Sequence, residues 1–306
     1  MVLSKYVWKN GKIIDGRNAK TNIFCQGLHY GMGVFEGIRF YDTEERGPAI
    51  FRLDKHLERF DYSQRKAYMI LRYSPEVLTD AIKELIKKSG LREGYIRPIA
   101  WYGEERLGLR LGEKTDVAIA VFSWNKRLEH EQIRAKISKY LRIDPRSTHV
   151  EAKISGHYVN SILALRDALD SGFDEAILLD WMGMVAEGSA ENIFMVTNGN
   201  IYTPSKGSIL DGVTRQTILV LARDYGYRVE ETLITPEALF KSDEVFLCGT
   251  AMEVLLVVEI QRESMGQITP WTSKSDKVTT QFANLYAEVV RGKHPEYSRW
   301  LTYVYE

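Results

Sequence analysis

The chain has 306 residues, enough for one large core or two smaller domains, and its 44% hydrophobic and 27% charged side chains are ordinary for a globular protein. Lysine plus arginine numbers 41, as does aspartate plus glutamate, so nothing in the charge points to nucleic acid, a membrane surface or a polyanionic partner. The opening MVLSKYVWKNGKIIDG has no apolar leader core, no run reaches the length of a membrane span, and two cysteines, Cys25 and Cys248, do not suggest a disulfide scaffold, so a cytoplasmic enzyme or binding protein is expected.

YVWKNGKII predicts a hairpin turning at Asn10-Gly11. VFEGIRFYD and PAIFRL predict a pair of strands. LDKHLERFDYSQRKAYMI predicts a helix with Leu53, His56, Leu57, Phe60 and Gln64 on one side. SPEVLTDAIKELIKKSGL predicts a second helix, begun by Ser74 and Pro75 and stopped by Gly90. YIRPIAWYG and DVAIAVFSW predict strands, with Pro98 marking an edge or a bulge. SWNKRLEHEQ is polar and lacks a clean period, which predicts a connector. The expected division is a small N-terminal domain over 1–122, a connector over 123–133 and a larger, cofactor-binding domain over 134–306.

Beyond the connector, IRAKISKYLRI predicts a strand. HVEAKISGHYVNSILAL then places Lys153 among small residues at the entrance to a helix, with Tyr158, Ile162, Leu165 and Leu169 expected on its inward face. Gly172 ends that helix, and AILLD predicts a buried strand. ENIFMVTNGNIYTP predicts a hairpin at Asn198-Gly199, DGVTRQTILVLARDYG a helix stopped by Gly226, and DEVFLCGTAMEVLLVVEI two strands around a Gly-Thr-Ala turn. Residues 275–291 predict a last helix. There is no internal repeat, and strands and helices mix without regular βαβ alternation, which favours an α+β protein of two domains over one doubly wound sheet.

Four local features carry possible chemistry. A lysine partly desolvated in a pocket can attack a carbonyl, although most lysines, Lys153 among them by default, lie in water. Glu187 in MVAEGSAENIF sits among small residues and can face a pocket, or be a solvated turn glutamate. Gly212, Val213, Thr214 and Arg215 open a helix whose N-terminus suits an anion, or is capped by Asp211 or Thr214. Gly249, Thr250 and Ala251 turn a strand with N–H groups that can bind phosphate or carboxylate, or make a plain hairpin. Together they supply an amine, a carboxylate and two anion nests, the set that pyridoxal phosphate needs for its aldehyde, ring nitrogen and phosphate.

In a match running over nearly the whole chain, from about Tyr6 to Trp300, the pieces LHYGMGVFEGIR, HLER, GYIRP, EAKISGHYVNS, EGSAENIF, ILDGVTR and CGTAMEV, in this order, resemble the fold-type IV pyridoxal-phosphate enzymes, and most closely the branched-chain amino-acid aminotransferases. The resemblance implies that Lys153 carries the cofactor and moves the reacting proton. It implies that Glu187 pairs with the ring nitrogen and Tyr158 with the phenolic oxygen, and that Leu210 packs on the ring. The phosphate would fall to Arg59, Val213, Thr214 and Thr250. Tyr95 and Arg97, with the turn N–H groups of Thr250 and Ala251, would hold the substrate carboxylate. Tyr30, Phe35, Gly37, Trp124, Leu107 and Leu109 would line the side-chain pocket, the two leucines from a neighbouring subunit. The implied reaction is transfer of an amino group between leucine, isoleucine or valine and 2-oxoglutarate, by a homodimer or larger assembly, with no metal. Arg127, where the family often has a tyrosine nearby, Met252 and LLVVEI depart from the pattern and leave room for altered specificity. D-amino-acid or (R)-amine transaminases, aminodeoxychorismate lyase and a binding protein without turnover are the competing readings.

Overall fold

The structure is a computed structural model and describes residues 3–124, 132–264 and 266–305. The expected connector falls largely on residues 125–131, which with Arg127 lie outside the described residues. The chain forms two compact units, one holding described residues 3–124, 152–156 and 288–305, the other 132–151 and 157–287.

The sheet of the first unit has, among the described residues, eight strands, all paired antiparallel. Their order is Leu301–Tyr303, Gly47–Phe51, Ile38–Thr43, Gly94–Tyr102, Thr115–Phe122, Leu3–Lys9 and Lys12–Asp15, with Gly33–Phe35 beside Gly94–Tyr102. Helices Leu53–Lys66 and Pro75–Ser89 bring Leu57, Phe60, Ile82, Leu85 and Ile86 into one core with Ile38, Ile96 and Ile119. The second helix starts as expected, Ser74 accepting from the Val77 N–H and Pro75 filling the first turn, and Gly90 closes it at φ +68°. The first stops at Lys66 and does not run on to Ile70, because Tyr68 takes φ +56°, through which a helix cannot continue.

The stretch VFEGIRFYD is two strands, not one. Gly33–Phe35 and Ile38–Thr43 both pair with Gly94–Tyr102 in one continuous register, and only Glu36 and Gly37 interrupt the strand between them. Pro98 lies in the middle of this sheet rather than at an edge. Its carbonyl accepts from Glu36 N–H at 2.9 Å, so the side of Pro98 that lacks a donor faces the interruption.

The second unit has a mixed sheet of nine strands among the described residues. Gln132–Ile137 runs parallel to both Glu175–Leu179 and Glu253–Ser264, and Asn200–Pro204 runs parallel to Val229–Thr232. Glu244–Gly249 joins Glu253–Ser264 to Asn192–Thr197, and Val185–Gly188 pairs with both Glu175–Leu179 and Asn192–Thr197. The pairing of Glu187 with Asn192 therefore closes six strands into a ring around a core of Ile133, Ile177, Ile193, Leu247 and Val257. Val185–Gly188, Val229–Thr232 and Gln267–Thr272 are strands that the periodicity does not announce. The strand over IRAKISKYLRI ends at Ile137, where Ser138 Oγ accepts from Tyr140 N–H and turns the chain.

Helix Tyr158–Asp170 forms, but its large apolar stripe does not face inward. Ile162 is 65% and Leu169 50% exposed. The buried side carries Ala164 and Ala168, packed with Phe173, Ala176 and Leu178. Small residues let the helix lie close to the sheet, and the long ones are left outside.

The segment 152–156 is pinned within the first unit. Lys153 N–H donates to Ser63 Oγ at 2.9 Å, Phe35 N–H to the Lys153 carbonyl at 3.1 Å, and Gly156 N–H to the Gly31 carbonyl at 3.1 Å. Gly31 has φ +66°, and a Cβ there would lie 2.8 Å from the Gly156 Cα. Gly31→Ala should therefore cost about 1–3 kcal/mol in strain. Urea unfolding measures it, and a change under about 0.5 kcal/mol, as at an ordinary surface position, would contradict this packing.

Candidate functional site

In the first unit five of the expected residues form a continuous group. The Lys153 Nζ lies 5.0 Å from the centroid of the Phe35 ring. The Arg97 guanidinium carbon lies 4.9 Å from the same centroid and 5.4 Å from that of Tyr95. Tyr95 in turn stacks on Phe122 and tilts against Trp124, with ring centroids 5.4 Å and 4.8 Å apart. Arg97 Nε is buried and has no hydrogen-bond partner among the described residues, a donor well suited to an anionic ligand. Gly37 admits the Tyr95 hydroxyl so closely that any Cβ at 37 would collide with it.

Arg59, on the same helix as Ser63, is held by Glu36. Its Nε donates to Oε1 at 2.6 Å and its Nη2 to Oε2 at 2.9 Å. His56 Nδ1 stands 2.8 Å from Oε2, and since a carboxylate only accepts, that nitrogen carries the proton. Burial alone would raise the Glu36 pKa, but Arg59 and His56 outweigh it and hold the carboxyl well below the usual carboxylate range. Burial pushes His56 the other way, down, and so keeps it neutral.

Tyr30 hydroxyl accepts from Gly108 N–H at 3.1 Å, which ties it to the loop of Leu107 and Leu109. Those leucines do not line a pocket within this chain: they are 49% and 86% exposed.

In the second unit Glu187 is the centre. Arg142 Nε donates to its Oε1, while Oε2 accepts from Leu210 N–H at 3.0 Å and Asn192 Nδ2 at 3.2 Å. Asn192 Nδ2 also donates to the Leu210 carbonyl at 2.8 Å, so the carboxylate and the Leu210 turn are one unit. Two residues further on, Gly212 is the N-cap of helix Val213–Asp224 and has no side chain with which to cap it. The first-turn N–H groups of a helix suit an anionic acceptor. Val213 and Thr214 are buried. Thr250 and Ala251 lie in the turn between Glu244–Gly249 and Glu253–Ser264, where Met252 N–H donates to the Gly249 carbonyl. Tyr158 is half-buried at the first position of its helix.

Sequence reasoning passes over Glu36, His56, Ser63, Arg142 and Asn192. Glu36, His56 and Asn192 stand inside FEGIR, HLER and AENIF, beside residues already singled out. Arg142 has no local signal; only the fold brings it to Glu187, 45 positions away.

Residues 33–260 match the family described as amino-transferase class IV. The branched-chain-amino-acid aminotransferase of Pseudomonas aeruginosa is 39% identical, covering 97% of each chain. A crystal structure of a branched-chain aminotransferase from Thermoproteus uzoniensis with norvaline superposes with a TM-score of 0.92 at 37% identity, over 99% of this chain and 100% of that one. A branched-chain amino acid aminotransferase from T.th., complexed with N-(5'-phosphopyridoxyl)-L-glutamate, gives 0.91 at 39%, with the same coverage. With a family match across the body of the chain and relatives this close over its full length, the chain belongs to the class IV aminotransferases, in their branched-chain amino-acid group.

Proposed function

We propose that this protein is a pyridoxal-phosphate-dependent transaminase that moves an amino group between L-leucine, L-isoleucine or L-valine and 2-oxoglutarate. The observation that carries it is the Phe35 ring, with the Lys153 amine 5.0 Å away and the Arg97 guanidinium at 4.9 Å. An amine to move the Cα proton and a cation to hold the Cα carboxylate thus share one apolar surface. The substrate pair accords with the branched-chain relatives and with the phosphopyridoxyl-L-glutamate held by one of them.

The donor set fits the cofactor. Arg59, the helix-start N–H groups of Val213 and Thr214, and Thr250 would take the phosphate; Glu187 the ring nitrogen; Tyr158 the phenolic oxygen; Leu210 one ring face. When bound, the group supplies an aldehyde for amines and a protonated ring that spreads the negative charge left at Cα. Glu187 favours that protonated ring because Arg142, Asn192 and Leu210 N–H each stabilise its carboxylate. Lys153 would move the reacting proton between Cα of the substrate and C4′ of the cofactor, and its backbone is held for that by Ser63 and Phe35.

Arg97 and Tyr95, with the N–H groups of Thr250 and Ala251, would hold the substrate carboxylate. Phe35, Trp124, Tyr30 and Gly37 would face the side chain. An apolar pocket discriminates one methylene by only about 1–3 kcal/mol, so all three branched-chain amino acids should react. Leu107 and Leu109, exposed in one chain, would complete the pocket of a second copy, which makes the working unit at least a homodimer. Both cysteines are buried and unpaired, in keeping with a cytoplasmic location.

Mixing the protein with single amino acids and following the loss of the cofactor's resting absorbance tests the reading. L-leucine, L-isoleucine and L-valine should all react, and D-leucine should not; a preference for D-leucine would overturn it. Lys153→Ala should abolish transamination while the fold survives, and near-normal turnover of leucine would remove the role assigned to that amine. Arg97→Ala should raise KM for branched-chain oxo acids about tenfold or more, as expected for loss of a charge-assisted carboxylate contact, and an unchanged KM would remove that role. Sedimentation should give a dimer or larger species; a fully active monomer would contradict the shared pocket.

A further inference from the structure

The reaction as derived leaves Glu36 and His56, two buried titratable side chains beside Arg59, unused. Glu36 is fully buried, and both of its oxygens are occupied. Arg59 Nε reaches Oε1, while Arg59 Nη2, His56 Nδ1 and, at 3.2 Å, the Gly37 N–H converge on Oε2. The strand is interrupted at Glu36 and Gly37, and the Glu36 N–H goes to Pro98. A carboxylate in this position is costly to bury, and an apolar side chain of similar volume would fill the space more cheaply. What the charge contributes is geometry. A two-point pairing of carboxylate and guanidinium fixes the plane of the guanidinium as well as its place. His56 stands three residues before Arg59 on helix Leu53–Lys66, hence on the same face, and locks the carboxylate from the other side.

We infer that Glu36, braced by His56, is a positioning residue: it presets the Arg59 guanidinium so that it meets the cofactor's phosphate in one fixed orientation. The inference rests on the reading above that Arg59 takes this phosphate. The neutral state of His56 and the ionised state of Glu36 leave the three side chains with no net charge before the phosphate arrives. Orientation, rather than accumulated positive charge, is then what the cluster offers. A purely structural ion pair would steady the fold without preferring one form of the vitamin to another.

The test compares cofactor-free wild type with Glu36→Gln, each titrated with pyridoxal phosphate and with pyridoxal, which lacks the phosphate. Binding is followed by absorbance and protein fluorescence. Glu36→Gln should weaken pyridoxal phosphate about 10- to 100-fold, the worth of a charge-assisted contact, and leave pyridoxal unchanged. His56→Asn should show the same selective loss on a smaller scale. Should the Gln variant fail to fold, Glu36→Asp keeps the charge, withdraws the carboxylate by one methylene, and should again lose only the phosphorylated ligand. Equal losses for both ligands, or no loss for pyridoxal phosphate, would overturn the inference. A wild type that binds the two ligands equally would instead sink the reading of Arg59 on which it stands.

Discussion

The site depends on how the backbone around Lys153 is held. The chain leaves the second unit after residue 151, spends residues 152–156 in the first, and returns. Within that short stay the amide of Lys153 donates to Ser63, its carbonyl accepts from Phe35, and Gly156 donates to Gly31. Val34 and Ile154 add an isolated bridge. A five-residue visit held by so few bonds needs close backbone contact, which explains glycine at 31: the separation from Gly156 is too small for a side chain there. The same bonds tie the lysine to the ring of Phe35 and to the helix that carries Arg59. An amine that must reach one face of a bound group, turnover after turnover, is useful only if its anchor does not move.

The second unit solves a different problem by a similar means. Its sheet closes on itself where Glu187 pairs with Asn192, and the seam puts a carboxylate beside the Leu210 turn and the start of helix Val213–Asp224. Arg142 supplies the opposing charge from a segment with no regular structure. Each sheet carries its charged cluster at an irregular point: a strand interruption at Glu36 and Gly37 in one, a closure at Glu187 in the other.

Much of this was legible in the sequence where the signal is local. Asn10-Gly11 and Asn198-Gly199 mark their hairpins, and Ser74, Pro75 and Gly90 bound their helix, because turn and cap chemistry is set by neighbours in the chain. Lys153, Glu187 and the Gly212 turn stand out because their residue types suit one cofactor. What was not legible depends on distant pairing. Val185–Gly188 and Val229–Thr232 are too short to show a period, and only their partners make them strands. The burial of helix Tyr158–Asp170 on its alanine side follows from the sheet it meets, not from its own pattern, which points to Ile162 and Leu169. The partners of Arg59 and Glu187 were hidden for the same reason.

The account is tested most directly by locating the covalent attachment. The protein is isolated with pyridoxal phosphate, treated with borohydride to make the linkage permanent, digested and mapped. The label should fall on the peptide containing Lys153 and on no other lysine. A label on another lysine, or a protein that takes up the cofactor without any covalent attachment, would contradict the role given to this amine and the arrangement built around it.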